Sequence, residues 1–84
     1  MTRLWLSGLA LEVWLDSVDN PTRLRWEGQT HPVQIISNRW RVDVRWWRVR
    51  IWRDYFQLVT ATGLLLVVYH DLVDDRWYLQ RMYD

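Results

Sequence analysis

From Arg39 to Trp46 the chain reads Arg-Trp-Arg-Val-Asp-Val-Arg-Trp. A helix, with its period of about 3.6, cannot sort such a run onto two faces; a strand, with its period of two, must. Trp40, Val42, Val44 and Trp46 therefore share one face, and Arg39, Arg41, Asp43 and Arg45 the other. One residue later the phase reverses, and Trp47, Val49 and Ile51 become the apolar set. A slip of one residue exchanges the two faces of a strand, so Trp46-Trp47 marks a turn or a bulge.

The same period recurs along the chain. Leu9, Leu11, Val13 and Leu15 alternate with Ala10, Glu12, Trp14 and Asp16, and Leu24 and Trp26 with Arg23, Arg25 and Glu27. Asp19-Asn20-Pro21 within Ser17 to Thr22 is turn chemistry, because Asn tolerates left-handed backbone and Pro fixes φ. Gly28-Gln29 reads as a tight reversal. Pro32, with no N–H to give a ladder, belongs at a strand start or an edge. Strands over 54–60, 64–70 and 76–83 follow, separated by turns at Ala61-Thr62-Gly63 and Asp74-Asp75. The unbroken apolar run Leu64 to Val68 suits a strand covered on both faces. The expected fold is all-β: a small antiparallel meander of five or six strands, partly closed into a barrel so that few edges stay exposed.

Eighty-four residues make one domain spanning 1–84, with residues 1–8 as an N-terminal extension. A chain this short buries only about 60–65% of its unfolded surface, so its core must be dense. Eight tryptophans supply that density, each able to remove about 150–250 Å² from water. Trp26, Trp40, Trp46 and Trp77, in phase with aliphatic neighbours, are the expected core tryptophans. Arg81 is in phase with Trp77 and Leu79, which aims it inward toward a carboxylate such as Asp71 or Asp84.

Cysteine is absent, which excludes disulfides and cysteine-based zinc sites. The glycines at 8, 28 and 63 stand apart, so no phosphate-binding loop is present. Ser7, Ser17 and Ser37 lack a nucleophile elbow. His70-Asp71 with Asp74-Asp75 offers hard and borderline ligands for a cation, but such residues ordinarily solvate a hairpin turn. No catalytic residue, metal site or cofactor is expected, and the chain reads as a non-enzyme. Glu12 interrupts the apolar start Met1 to Leu15, and no small-residue cleavage site follows. No stretch approaches the ~20 apolar residues that span a bilayer. Cytoplasm, with no membrane partner, is the expected setting.

The net charge is only +1, yet it is unevenly spread, and all eleven cations are arginine. Arg39, Arg41, Arg45, Arg48, Arg50 and Arg53 crowd the centre of the chain beside Trp52, and these residues form the candidate basic surface. Arginine makes planar contacts to phosphate, and an exposed indole stacks on a base. Because alternation separates Trp from Arg, only Trp52 and Trp47 stand where they could join the arginines.

Leu24-Arg25-Trp26-Glu27-Gly28, Arg39-Trp40, Trp46-Trp47, Arg53-Asp54-Tyr55-Phe56, Tyr69-His70-Asp71 and the closing Trp77-Tyr78-Leu79-Gln80-Arg81-Met82-Tyr83-Asp84 together resemble the marks of a small bacterial domain family of unknown function. That family stands beside, or is fused to, Y-family DNA-polymerase-like proteins of damage-inducible mutagenesis cassettes. The resemblance covers residues 9–84 and departs at Glu27, where arginine is favoured, at Met82, where Val is usual, and in the short stretch from Trp47 to Tyr55. It implies a setting in translesion DNA synthesis or DNA repair and carries no catalytic residue. Two functions are expected from these features. One is an accessory or protein-interaction domain docking a polymerase-like subunit. The alternative is a weak single-stranded nucleic-acid-binding module using the central Arg/Trp surface.

Overall fold

The computed structural model describes residues 2–83, and every regular element among them is a strand. The elements are β1 (Arg3–Leu15), β2 (Pro21–Trp26), β3 (Gln29–Trp46), β4 (Val49–Thr60), β5 (Leu65–Asp71) and β6 (Arg76–Tyr83). They follow one another as an antiparallel meander, and β6 returns to β1 to close the sheet into a ring. The expected all-β meander is therefore the fold. The ring is uneven: β2 pairs with β3 only from Arg23↔Pro32 to Trp26↔Gln29, whereas β3 pairs with β4 from Val33↔Thr60 to Trp46↔Val49.

Local chemistry sets the turns. Glu27 and Gly28 adopt φ of 50° and 76°, the paired left-handed conformation of a mirror-image hairpin turn. The reversal thus lies one residue earlier than Gly28-Gln29. Asp16 Oδ1 accepts the N–H groups of Val18 and Asn20, each at 2.9 Å, and so ties the β1–β2 turn. Pro32 falls opposite Arg23, where β2 ends as a partner of β3. At that non-hydrogen-bonded pair the β2–β3 ladder needs no N–H from it.

Two β-bulges interrupt β3, between Val33 and Ile35 and between Ile36 and Asn38. Each advances the phase by one residue. Val33 and Ile36 consequently both pack on the core, a spacing that alternation alone does not anticipate. The N-terminal residues 3–8 belong to β1 rather than to an extension, since Arg3 and Leu4 pair with Met82 and Arg81. The rest of the expected 1–8 extension includes Met1, which lies outside the described residues.

Inside the ring, Leu24, Trp26, Phe56, Leu58, Leu66, Val68 and Leu79 form the buried core, with Leu9, Leu11, Val13 and Trp77 packed against it. His31 stacks on Trp26 with ring centroids 4.1 Å apart. A second cluster covers the outer face of β4, β5 and β6: Tyr55, Val67 and Tyr69 are buried there, beside Val42, Tyr78 and Tyr83. Rings of Trp40, Tyr55, Tyr69 and Tyr78 cross four strands at centroid spacings of 5.3, 5.2 and 5.2 Å. Both faces of β5 are therefore covered, as its apolar run requires.

Three expectations are corrected. Trp26 and Trp77 take their places in the core, but Trp40 is 40% exposed and Trp46 75%: β3 is an edge strand at both positions, and at Trp46 its partner β4 has no further neighbour either. Arg81 does not point inward. The β5–β6 register shifts between Val67↔Arg81 and Val68↔Leu79, leaving Gln80 as the extra residue. Arg81 thereby joins Val67 on the outer face and donates to Tyr83 Oη at 3.1 Å. Asp71 instead lies 3.8 Å from Arg53, and Asp84 lies outside the described residues.

Leu58 is fully buried, so Leu58→Ala is expected to lower stability by about 2–5 kcal/mol, whereas Trp46→Ala stays within about 0.5 kcal/mol of the parent. A Cβ at Gly8 (φ 76°) would stand 2.6 Å from Tyr69 Oη and 2.8 Å from Tyr78 Cβ. Gly8→Ala should therefore also destabilise, through strain and through displacement of the aromatic row. Urea denaturation midpoints of the variants check all three.

Candidate interaction surface

The phase slip at Trp46-Trp47 is a turn. Trp46 pairs with Val49 across the two-residue loop Trp47-Arg48. Even-numbered residues of β3 therefore share a face with odd-numbered residues of β4. One face carries Trp40, Val42, Val44 and Trp46 beside Val49, Ile51, Arg53 and Tyr55; the other carries Arg39, Arg41, Asp43 and Arg45 beside Arg50, Trp52, Asp54 and Phe56. Because β5 pairs with β4 only as far as Arg53, the part of the hairpin beyond it projects as a two-stranded ribbon. Among the described residues no third strand or second layer covers its apolar face. Val44, Trp46, Trp47 and Val49 are all exposed.

The arginines do not act as one free patch. Arg41 grips Asp54 through Nε–Oδ1 at 2.6 Å and Nη2–Oδ2 at 3.1 Å. That fork holds the Asp54 carboxyl below its ordinary range, with Arg41's hydrogen bond the largest cause, and raises the Arg41 guanidinium in turn. Arg50 lies over Trp52 at 4.4 Å and reaches Asp43 at 3.8 Å. Arg39 lies over Phe56 at 5.0 Å and donates to Asn20 at 3.0 Å. Arg48 sits at the tip, 5.7 Å from the Trp47 ring. Thus Arg39, Arg41, Arg45, Arg50 and Trp52 share one face, interleaved with two carboxylates. Arg53 is on the opposite face, against Asp71, Tyr55 Oη and the Tyr69 ring, and does not converge with them.

The side chains that stand out on the ribbon, Val44, Trp46 and Val49, were not among the expected site residues. Their signal lay in the slip itself. A two-residue loop superimposes the apolar sets of both arms on one face.

At the β5–β6 turn the acids act as caps. Asp71 Oδ1 accepts from Val73 N–H at 2.9 Å, Asp74 accepts from Arg76 N–H and Tyr78 Oη–H, and His70 Nε2 lies 2.7 Å from Asp75 Oδ1. Among the described residues no group of three or more His, Asp or Glu side chains is arranged to hold a metal. Comparison of the chain with family models, curated proteins and solved structures returned no match.

Asp54 has a lowered pKa in the folded state. Its contribution to stability is whole above its unfolded value of about 4 and is lost as pH falls through the lower folded-state value. Asp54→Asn should therefore flatten the fall of the thermal midpoint on acidification below about pH 4. Parallel curves for parent and variant would contradict this role.

Proposed function

We propose that this chain is a non-enzymatic protein-interaction domain that docks its partner through the projecting β3–β4 hairpin. The observation that carries the reading is Trp47. Its φ is 54° and it is 91% exposed. A bulky residue in left-handed backbone costs about 1–2 kcal/mol, and glycine would sit there without strain. The indole repays none of this by burial. Strain retained at an exposed position is where function is sought.

Trp46 beside it, 75% exposed, extends the contact along the apolar face. Paired exposed indoles with arginines at the rim match the composition of protein-interface hot spots. The mutagenesis setting implied by the sequence resemblance makes a polymerase-like subunit the first partner to test, in the cytoplasm. Nucleic acid is the second reading, favoured by Arg45, Arg50 and Trp52 sharing one face. Asp43 and Asp54 on that same face weigh against it, since each lies against an arginine.

The test is Trp46→Ser/Trp47→Gly. The variant should match or exceed the parent's denaturation midpoint, since glycine relieves the strain at residue 47, yet bind a purified polymerase-like subunit at least tenfold more weakly, with little dependence on salt. Equal binding by parent and variant would overturn the docking reading. A single-stranded oligonucleotide bound with a steep salt dependence would put the nucleic-acid reading in its place.

A further inference from the structure

β3 leaves one of its edges open. Among the described residues, its only strand partner beyond Val33 is β4. In an antiparallel ladder, residues alternate between pairs bonded to each other and pairs whose N–H and C=O point outward. Trp46↔Val49 flanks the two-residue loop and is a bonded pair, so Arg45, Asp43 and Arg41 present their backbone groups away from β4. Two contacts agree with this phase: the outward Arg39 N–H is satisfied by the Asn38 side chain at 2.9 Å, and the outward Trp52 carbonyl of β4 accepts from Leu72 N–H at 2.8 Å. Exposed edges are ordinarily blunted by charged side chains, Pro, bulges or twist. In β3 Pro32 and the two bulges lie before residue 39; from Arg39 to Trp46 the register is uninterrupted, and the edge is guarded only by Arg39, Arg41, Asp43 and Arg45, charges that repel in some registers and attract in others.

We propose that this open edge pairs with the same edge of a second copy, forming a two-fold dimer in which the β3 strands run antiparallel about Val44. The charge pattern selects the register. Pairing about Val44 sets Asp43 opposite Arg45 of the second copy and Arg45 opposite its Asp43. Pairing about Asp43 would place Asp against Asp and Arg41 against Arg45. Pairing about Val42 would set Arg41 against Asp43, but Arg41 is already forked to its own Asp54, and the same register would place Arg39 against Arg45 in both reciprocal pairs. Like charges directly opposite destabilise a sheet, and unlike charges support it.

In the Val44 register the outward backbone groups of Asp43 and Arg45 also meet their counterparts in bonding phase. On the apolar face, Val44 meets Val44, and Val42 meets Trp46 of the second copy. On the polar face, Asp43 lies between its own Arg50 and the second copy's Arg45. The product is a four-stranded sheet, β4-β3-β3-β4, whose apolar faces are continuous. This assembly does not depend on the docking reading, because its charge code is independent of what Trp46 and Trp47 bind.

The experiment is sedimentation velocity of the full chain over a concentration series, with circular dichroism and thermal midpoints confirming the fold of each variant. The parent should form a dimer. Asp43→Arg sets guanidinium against guanidinium in both reciprocal pairs and should weaken the dimer at least about tenfold. Asp43→Arg/Arg45→Asp exchanges the charges and should restore it. Asp43→Pro removes an outward N–H that β4 does not use, and should leave a folded monomer. A parent monomeric at every concentration would overturn the proposal. So would a dimer unaffected by Asp43→Arg, or an exchange variant that stays dissociated.

Discussion

β4 hydrogen-bonds to β3 from Val49 to Thr60, but to β5 only from Arg53 to Val59. That difference in length shapes the molecule. Where β4 has two neighbours, its side chains are covered on both faces: Phe56 and Leu58 by the ring interior, Tyr55 by the outer aromatic row. Where it has one, the same alternation meets water. The transition occurs within a few residues and needs no change of composition, because burial in a sheet is decided by the number of neighbouring strands as well as by side-chain type.

The outer aromatic row lets so small a ring bury apolar surface on two sides. Tyr69 is nearly inaccessible although it faces away from the barrel, since Tyr55 and Tyr78 flank it, Arg53 lies over its ring and Gly8 passes beneath its hydroxyl. Its desolvation pushes the phenol above its ordinary pKa. The departure of β1 from regular pairing at Gly8 and the outward turn of Arg81 at Gln80 lie on neighbouring strands. Both re-aim backbone or side chains around this second layer, which a simple barrel lacks.

Charge on the hairpin is organised locally. Arg41 with Asp54 and Arg50 with Asp43 convert a basic stretch of sequence into a face of alternating sign. Such a face steers less strongly toward polyanions than an uninterrupted arginine patch does. It also gives an exposed strand the means to distinguish one register from another. The docking and dimer proposals both rest on this arrangement, an apolar face and a charge-coded face carried by one ribbon.

Alternation and turn chemistry in the sequence determined the strand class, the β1–β2 and β5–β6 turns, the inward set Leu9, Leu11 and Val13 (Leu15, beyond a register shift, is exposed), and the two-sided cover of Leu66 to Val68. These follow from backbone geometry, which every strand obeys wherever it lies. Bulges at residues 33–38 hid the first half of β3, because two inserted residues erase a period of two. Gln80 reversed Arg81 for the same reason. The burial of Trp40 and Trp46 was decided only in three dimensions. Their phase is that of core residues, and the sequence identifies which face they occupy, but their cover depends on where β2 stops pairing with β3 and, for Trp46, on where β5 stops pairing with β4. How far neighbouring strands pair settles that point, and a periodicity read along one strand carries no information about its neighbours.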